Sequence, residues 1–326
     1  MSTPLASLCG VLAALAATPL LAALGRRRGW LDRAEGAAGR KLQARPVPPV
    51  GGLAVLIGLA ATAAALELAG GHWDPEIAAW IDPRAGAAAL LLAFVAGAVD
   101  DLAPSGVRPR TKLCLQALAA VPVALSLCLH RLAEAPEAPG EAVLLALALV
   151  AGAVLAQNAF NTFDNADGAT TSLGILALAF HAPVFAGPLL GFLPWNLNAR
   201  ARDGARGTPT AYLGDAGSHL LGLLILLVPA AWPAFALPLF DLLRLCVRRL
   251  RVGSRPWIGD RRHLAHRLAH AGLSPRRVCL LLSAVALPCV ARPDALGLLL
   301  TAFLFAAAVA LTREPSERSR ADAARP

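Results

Sequence analysis

The sequence is short of almost everything that marks a soluble enzyme. Charged residues fill only 16% of its 326 positions and aromatic residues 5%, with a single tyrosine and a single methionine. Charge this sparse excludes a solvated surface over most of the chain, because the charges it does have sit in short stretches between long apolar runs. The six cysteines (Cys9, Cys114, Cys128, Cys246, Cys279 and Cys289) lie in or beside apolar runs, and none forms a C-x-x-C pair. That argues against both a zinc site and a disulfide framework. No positive charge precedes the first apolar run, whereas Arg26, Arg27 and Arg28 follow it. A cleaved signal peptide has the reverse pattern, so this run is expected to stay as a first helix with its N-terminus outside.

What is present is apolar: 57% hydrophobic residues and a mean hydropathy of +0.59, against about 45–50% apolar content in a soluble domain. Lipid leaves a backbone no partner except its own helix, so the expected fold is all-α, a polytopic transmembrane bundle. The net charge of +9 and pI near 10.2 would suggest nucleic acid as the partner of a soluble protein. Here no nucleic acid is expected, since arginines packed into loops follow from the positive-inside rule and from anionic lipid or a phosphorylated substrate.

Apolar spans fall at 5–24, 51–70, 86–100, 113–130 and 141–158, each near the ~20 residues that cross a bilayer. The loops between them alternate in sign. The first holds Arg26–Arg28, Arg33, Arg40, Lys41 and Arg45, and the third Arg108, Arg110 and Lys112. The second holds Glu67, Asp74, Glu76 and Asp82, and the fourth Glu134, Glu137 and Glu141. The basic loops belong in the cytoplasm, and parity puts 158–168 there too. Loops 198–215 and 244–277 are basic again, and two last spans near 278–291 and 294–312 leave the tail inside. The stretches 169–195 and 216–243 are long for one helix and short for two. Reading them as hairpins that bend near Pro183, Pro188, Pro229 and Pro233 keeps every arginine cluster on one face. The expectation is about eleven membrane segments, two pairs abbreviated, in one integral-membrane domain over 1–312. A short cytoplasmic tail without stable structure, 313–326, follows it.

The cytoplasmic helix ends then hold the polar chemistry. Asp100 and Asp101 close the third span in VDDLAPSGVRPRTKLCLQ, and NAFNTFDNADG supplies Asn158, Asn161, Asp164 and Asp167. YLGDAGSHLLG places Asp215 where an apolar stretch begins, and GDRRHLAHRLAHAG spaces His263, His266 and His270 along one helix face. Adjacent carboxylates at a membrane boundary are costly unless a cation neutralises them. Carboxylate and amide oxygens suit magnesium rather than zinc. Each motif alone has a structural reading as a solvated helix end, a cap or a turn. Their convergence on one face favours a site.

In that order, the motifs resemble the polyprenyl-phosphate N-acetylhexosamine-1-phosphate transferases, glycosyltransferase family 4, over about Arg45 to Arg277. RPVPPVGGLAVLIG, GFLPWN and PLFDLLRLCVRRL complete the set, which looks closest to the UDP-GlcNAc:undecaprenyl-phosphate subgroup. The resemblance implies a phosphotransferase of the inner membrane. It would pass a sugar-1-phosphate from a UDP-N-acetylhexosamine, GlcNAc foremost, to undecaprenyl phosphate, releasing UMP and starting a cell-envelope glycan. It implies that Asp100 and Asp101 activate the lipid phosphate, with Asp100 as base, and that Asp164 and Asp167 complete the acidic cluster. Asp215 with Asn161 would ligate Mg2+, or Mn2+. Tyr212 would stack on uracil, Asn196 reach the nucleotide, and Lys112, His263, His266 and Arg267 contact phosphates. The assembly is compatible with a homodimer. Four features depart from the family: both hairpins are short, the loop after Asn196 is longer and more basic, no Pro-Pro-Ala follows Asn196, and NADGATT replaces the usual D-G-L-A continuation. Two other functions remain open on this reading. One is a non-catalytic membrane scaffold or regulator that keeps the fold. The other is a cation-coupled transporter, which would hold its ionisable groups near the midplane.

Overall fold

The computed structural model describes residues 3–32, 46–70, 80–103, 106–197, 208–254 and 262–312. The tail 313–326, Arg206, Arg261 and most of the first and 198–207 loops lie outside the described residues. Among the described residues the chain forms twelve α-helices and one 3₁₀ helix. They are α1 (Thr3–Arg28), α2 (Gly51–Leu68), α3 (Pro83–Leu102), α4 (Pro109–Glu134), α5 (Pro139–Phe163) and α6 (Ala169–His181). After these come α7 (Pro183–Asn196), α8 (Gly214–Leu226), the 3₁₀ helix (Pro229–Phe235), α9 (Ala236–Arg251), α10 (Leu264–His270), α11 (Pro275–Ala291) and α12 (Ala295–Leu311).

Local sequence sets where these helices begin. A proline opens α3, α4, α5, α7 and α11, where its missing N–H costs nothing and its fixed φ already suits a helix. Asp82 caps α3 by accepting the N–H groups of Arg84 and Ala85, and Asp294 caps α12 through Gly297 N–H. Packing follows membrane rules. On α3 the small residues Ala89, Ala93, Ala96 and Gly97 turn inward, while Leu91, Val95 and Val99 are exposed. Small inner faces let backbones approach, and large outer side chains meet lipid without penalty.

Six helical stretches are long and apolar enough to cross a membrane: α1 to α5 and the run Pro229–Arg251. The protein is therefore an all-α, multi-pass membrane bundle. The stretch 169–195 is a hairpin. It breaks at Ala182–Pro183, and Thr171 near its start donates to Asn196 at its end, Oγ1 to Oδ1 2.8 Å. Pro188 is not a bend, since it lies within α7. The second stretch is less regular. After α8 the chain turns at Val228 into the 3₁₀ helix, and Phe235 packs edge-on against Phe160 of α5, ring centres 5.4 Å apart. The return arm is thus a 3₁₀ helix followed by α9 rather than one apolar helix, because Pro229 and Pro233 interrupt regular bonding.

Candidate active site

Four chain segments meet at one end of the bundle: the last turn of α3, the first turns of α4 and α8, and the last turn of α5. Lys112 is their centre. Its ammonium donates to Asp100 Oδ2 at 2.7 Å, Asp215 Oδ2 at 2.5 Å and Asn161 Oδ1 at 3.2 Å. Asn161 Nδ2 in turn donates to Asp215 Oδ1 at 2.7 Å and to Ser218 Oγ at 3.1 Å. Asp100 Oδ1 accepts the Val107 N–H that follows the α3–α4 turn, at 2.5 Å.

Asp101 has a different task from its neighbour. Its two oxygens accept the N–H groups of Asp215 and Ala216, each at 2.9 Å. Position Leu213 gives α8 no side-chain cap of its own, so α3 supplies one from across the interface. Gly214, at φ +76°, turns the chain sharply into α8 in a conformation most side chains avoid.

The site end is drawn tight by glycine. A Cβ on Gly97 would overlap the Asp215 carbonyl, and one on Gly52 would overlap the Gly217 backbone. The first residues of α2 bond this same loop: Gly51 and Gly52 N–H donate to the carbonyls of Tyr212 and Leu213, both at 2.9 Å, while Tyr212 N–H donates to Pro48. The segment PVPPVGG thus clamps the loop that carries Asp215.

Asp164 and Asp167 sit in the loop between α5 and α6. Burial pushes the Asp164 carboxyl up to about 8 and Asp167 up to about 6. Tyr212 lies beside them, its hydroxyl held protonated by burial first and by these two carboxylates next.

Other expected site residues have partners outside the Lys112 cluster. His263 does not lie on the helix face with His266 and His270; it immediately precedes α10. Its Nδ1 meets Asp241 Oδ2 of α9 at 2.8 Å, and Arg244 holds the other Asp241 oxygen at 2.9 Å. His266 stacks edge-on near His263, ring centres 6.3 Å apart. Arg267 is buried and donates to Val309 O at 2.6 Å and to Thr312 Oγ1 and O, closing the C-terminal end of α12. Asn196 is buried too, accepting from Thr171 and donating to Ala211 O at 3.2 Å. Sequence reading missed Asp241 as a buried partner, although a lone acid in an apolar run with an arginine three residues on was the signal.

Among the described residues no three His, Cys, Asp or Glu side chains come together as a metal cage. The donor set nevertheless suits magnesium, which commonly takes one or two carboxylates and fills its shell from water and substrate phosphates. Asp215, Asp100 and the Asn161 amide oxygen already converge on one cation, the Lys112 ammonium.

Fold and site together define a multi-pass helical membrane protein with a charged, oxygen-rich site at one end of its bundle. Residues 84–232 match the family model described as glycosyl transferase family 4. A decaprenyl-phosphate N-acetylglucosaminephosphotransferase of Mycobacterium leprae (strain TN) is 33% identical over 188 residues, 43% of this chain and 44% of the relative. An undecaprenyl-phosphate alpha-N-acetylglucosaminyl 1-phosphate transferase of Escherichia coli (strain K12) is 28% identical over 159 residues, 40% of this chain and 42% of the relative. The chain thus spans less than half the length of the curated relatives it matches.

Proposed function

We propose that the protein transfers a sugar-1-phosphate from a UDP-N-acetylhexosamine, GlcNAc foremost, to a polyprenyl phosphate of the undecaprenyl type. UMP leaves, and the pyrophosphate-linked lipid starts a cell-envelope glycan. The observation that carries this reading is the Asp100–Lys112–Asp215–Asn161 cluster at the end of a membrane bundle. There a water-soluble nucleotide and a membrane-held phosphate can meet. The names of the relatives support the two substrates, and a cluster at the helix ends rather than the midplane favours transfer over transport.

In the reaction an oxygen of the lipid phosphate attacks the phosphorus that carries the sugar. The bond from that phosphorus to the bridging oxygen breaks, and the oxygen departs with UMP. Asp100 is assigned the base that keeps the attacking oxygen free of its proton. Lys112 balances charge as it moves between the phosphates. Bound magnesium, or manganese, would neutralise the pyrophosphate, with Asp215 and Asn161 as its protein ligands. Tyr212 offers a flat ring beside Asp164 and Asp167 for the uracil, and His263 and His266 are assigned to phosphate oxygens. Asn196 and Arg267 act by holding the scaffold. The site end faces the cytoplasm of an inner-membrane protein with about eleven membrane segments, N-terminus outside and C-terminus inside. Arg26–Arg28 end α1 near Pro48, beside the Tyr212 loop, while Asp82, Glu134 and Glu141 lie at the opposite helix ends.

The test is a panel of radiolabelled UDP-sugars given to purified protein with undecaprenyl phosphate. Label should pass to lipid from UDP-GlcNAc and stop in excess EDTA. Asp215→Ala and Asp100→Asn should each lose at least about a hundredfold in turnover, the usual cost of one key electrostatic group. Full activity in EDTA, or near-normal turnover in either variant, would sink the assignment.

A further inference from the structure

One helical turn below the charged cluster lies a second set of polar side chains that the proposed reaction does not use. Gln116 follows Lys112 by four residues on α4, His219 follows Asp215 by four on α8, and Asn158 precedes Asn161 by three on α5. Such spacings stack side chains on one helix face, about 5.4 Å apart per turn. The lower three join as the upper ones do. Gln116 Nε2 lies 3.1 Å from His219 Nε2, and Asn158 Nδ2 donates to Gln116 Oε1 at 2.6 Å. Gln157 adds a bond from its Nε2 to the Gln116 carbonyl at 3.1 Å.

Gln116, Gln157 and His219 are fully buried, in a bundle where polar groups are expensive and apolar ones would pack as well. The network also fixes a tautomer. Gln116 Oε1 is taken by Asn158, so the Gln116 amide nitrogen is the donor and His219 Nε2 the acceptor, which leaves the proton on Nδ1. That Nδ1 has no partner among the described residues. An orphaned buried donor is costly, typically about 1–3 kcal/mol, so the ring is kept against a cost that an apolar side chain would not carry.

We propose that Gln116 and His219 are positioning residues, a second tier that locks the register of α4, α5 and α8 and so keeps Lys112 between Asp100 and Asp215. The turnover arm of its test rests on the transferase reading, while the stability arm does not. His219→Phe keeps a ring but no acceptor for Gln116; His219→Gln restores an acceptor oxygen. In purified, folded protein, His219→Phe should lose about tenfold in kcat, with KM for the UDP-sugar within about twofold, because small misplacements of a charged group weigh on the reacting geometry. His219→Gln should recover kcat to within about twofold of wild type. Independently, thermal unfolding of His219→Phe, Lys112→Met and the double variant should give shifts that do not add, as for side chains in one network. Wild-type kcat in His219→Phe, no recovery in His219→Gln, or simple additivity of the thermal shifts would overturn the proposal. Were the wild type itself to transfer no sugar phosphate, the proposed function would fall and the thermal cycle alone would decide the second tier.

Discussion

Replacing Asp101 by alanine should harm the protein in a different way from changing its neighbour Asp100. Asp101 accepts the Asp215 and Ala216 N–H groups in the first turn of α8 at 2.9 Å each, and α8 has no local side-chain cap to take its place. A hydrogen bond to a charged group is worth about 1.5–3 kcal/mol, and a carboxylate at a helix N-terminus adds about 0.3–1 kcal/mol from the dipole. The sum is reduced because Asp101 also repels Asp100 and Asp215, and that repulsion is relieved in the variant. The net loss expected for Asp101→Ala is about 2–4 kcal/mol, within the range for a broken buried network. Asp101→Asn keeps one acceptor oxygen but turns an amide N–H toward the other donor, so it should lose about half as much. Asp100 receives one backbone N–H and the Lys112 ammonium, and Lys112 keeps Asp215 and Asn161 as acceptors, so Asp100→Asn should lose less stability than Asp101→Ala while losing turnover. Reversible unfolding in mixed detergent, read beside the transfer assay, separates the two. An Asp101→Ala protein as stable as wild type, or an Asp100→Asn protein less stable than Asp101→Ala, would refute this division of labour.

Two further outcomes follow from packing and from burial. Gly97→Ala should destabilise by about 1–3 kcal/mol, the usual cost of overpacking, since its Cβ would strike the Asp215 carbonyl. Gly86→Ala on the same helix meets only Leu227 Cδ1 at 3.7 Å and should be neutral or stabilising; equal thermal midpoints for the two would contradict the tight α3–α8 contact. Burial raises the Asp164 carboxyl from an ordinary 3.8 to about 8, so between those values the folded state binds the extra proton. Stability without added divalent cations should therefore fall as pH rises from about 4 to 8, and Asp164→Asn should flatten that slope; an unchanged slope in the variant would rule out Asp164 as its source.

Much of this was legible in the sequence because a membrane restricts what a chain can do. Spans read as 51–70 and 113–130 became Gly51–Leu68 and Pro109–Glu134, the first stopping short of Gly70 at φ +60° and the second extended by polar helix ends. The hairpin at 169–195 followed from keeping arginines on one side, and the Thr171–Asn196 bond closes it. The use of individual polar residues was harder to read. Nothing in a one-dimensional pattern distinguishes an asparagine offered to a ligand from one bonded internally, so Asn196 was expected at the nucleotide although Thr171 and Ala211 hold it. Arg267 is similar, since its partners on α12 are 42 and 45 positions away. The paired aspartates were read as one functional unit, whereas helix geometry turns Asp100 toward Lys112 and Asp101 toward the start of α8.

The abbreviated segments raise the question of whether a site can survive on trimmed supports. The geometry gives a physical reason that it can. The Lys112 cluster is built from α3, α4, α5 and the start of α8, with Val107 of the α3–α4 loop, and the loop before α8 is clamped by α2. At 13 residues, α8 extends only about 20 Å, short of a ~30 Å hydrocarbon core, yet its first turn is held by Asp101 and by close contact with Gly97 and Gly52. What the trimmed arms lose in lipid contact they recover by packing inside the bundle: α8 is buried at every position from Ala216 to Leu226. A helix enclosed on all sides need not match the bilayer thickness, because protein rather than lipid surrounds it. The charged end, where the proposed chemistry lies, is therefore held by α3, α4 and α5, each long enough to cross, and by the enclosed first turn of α8.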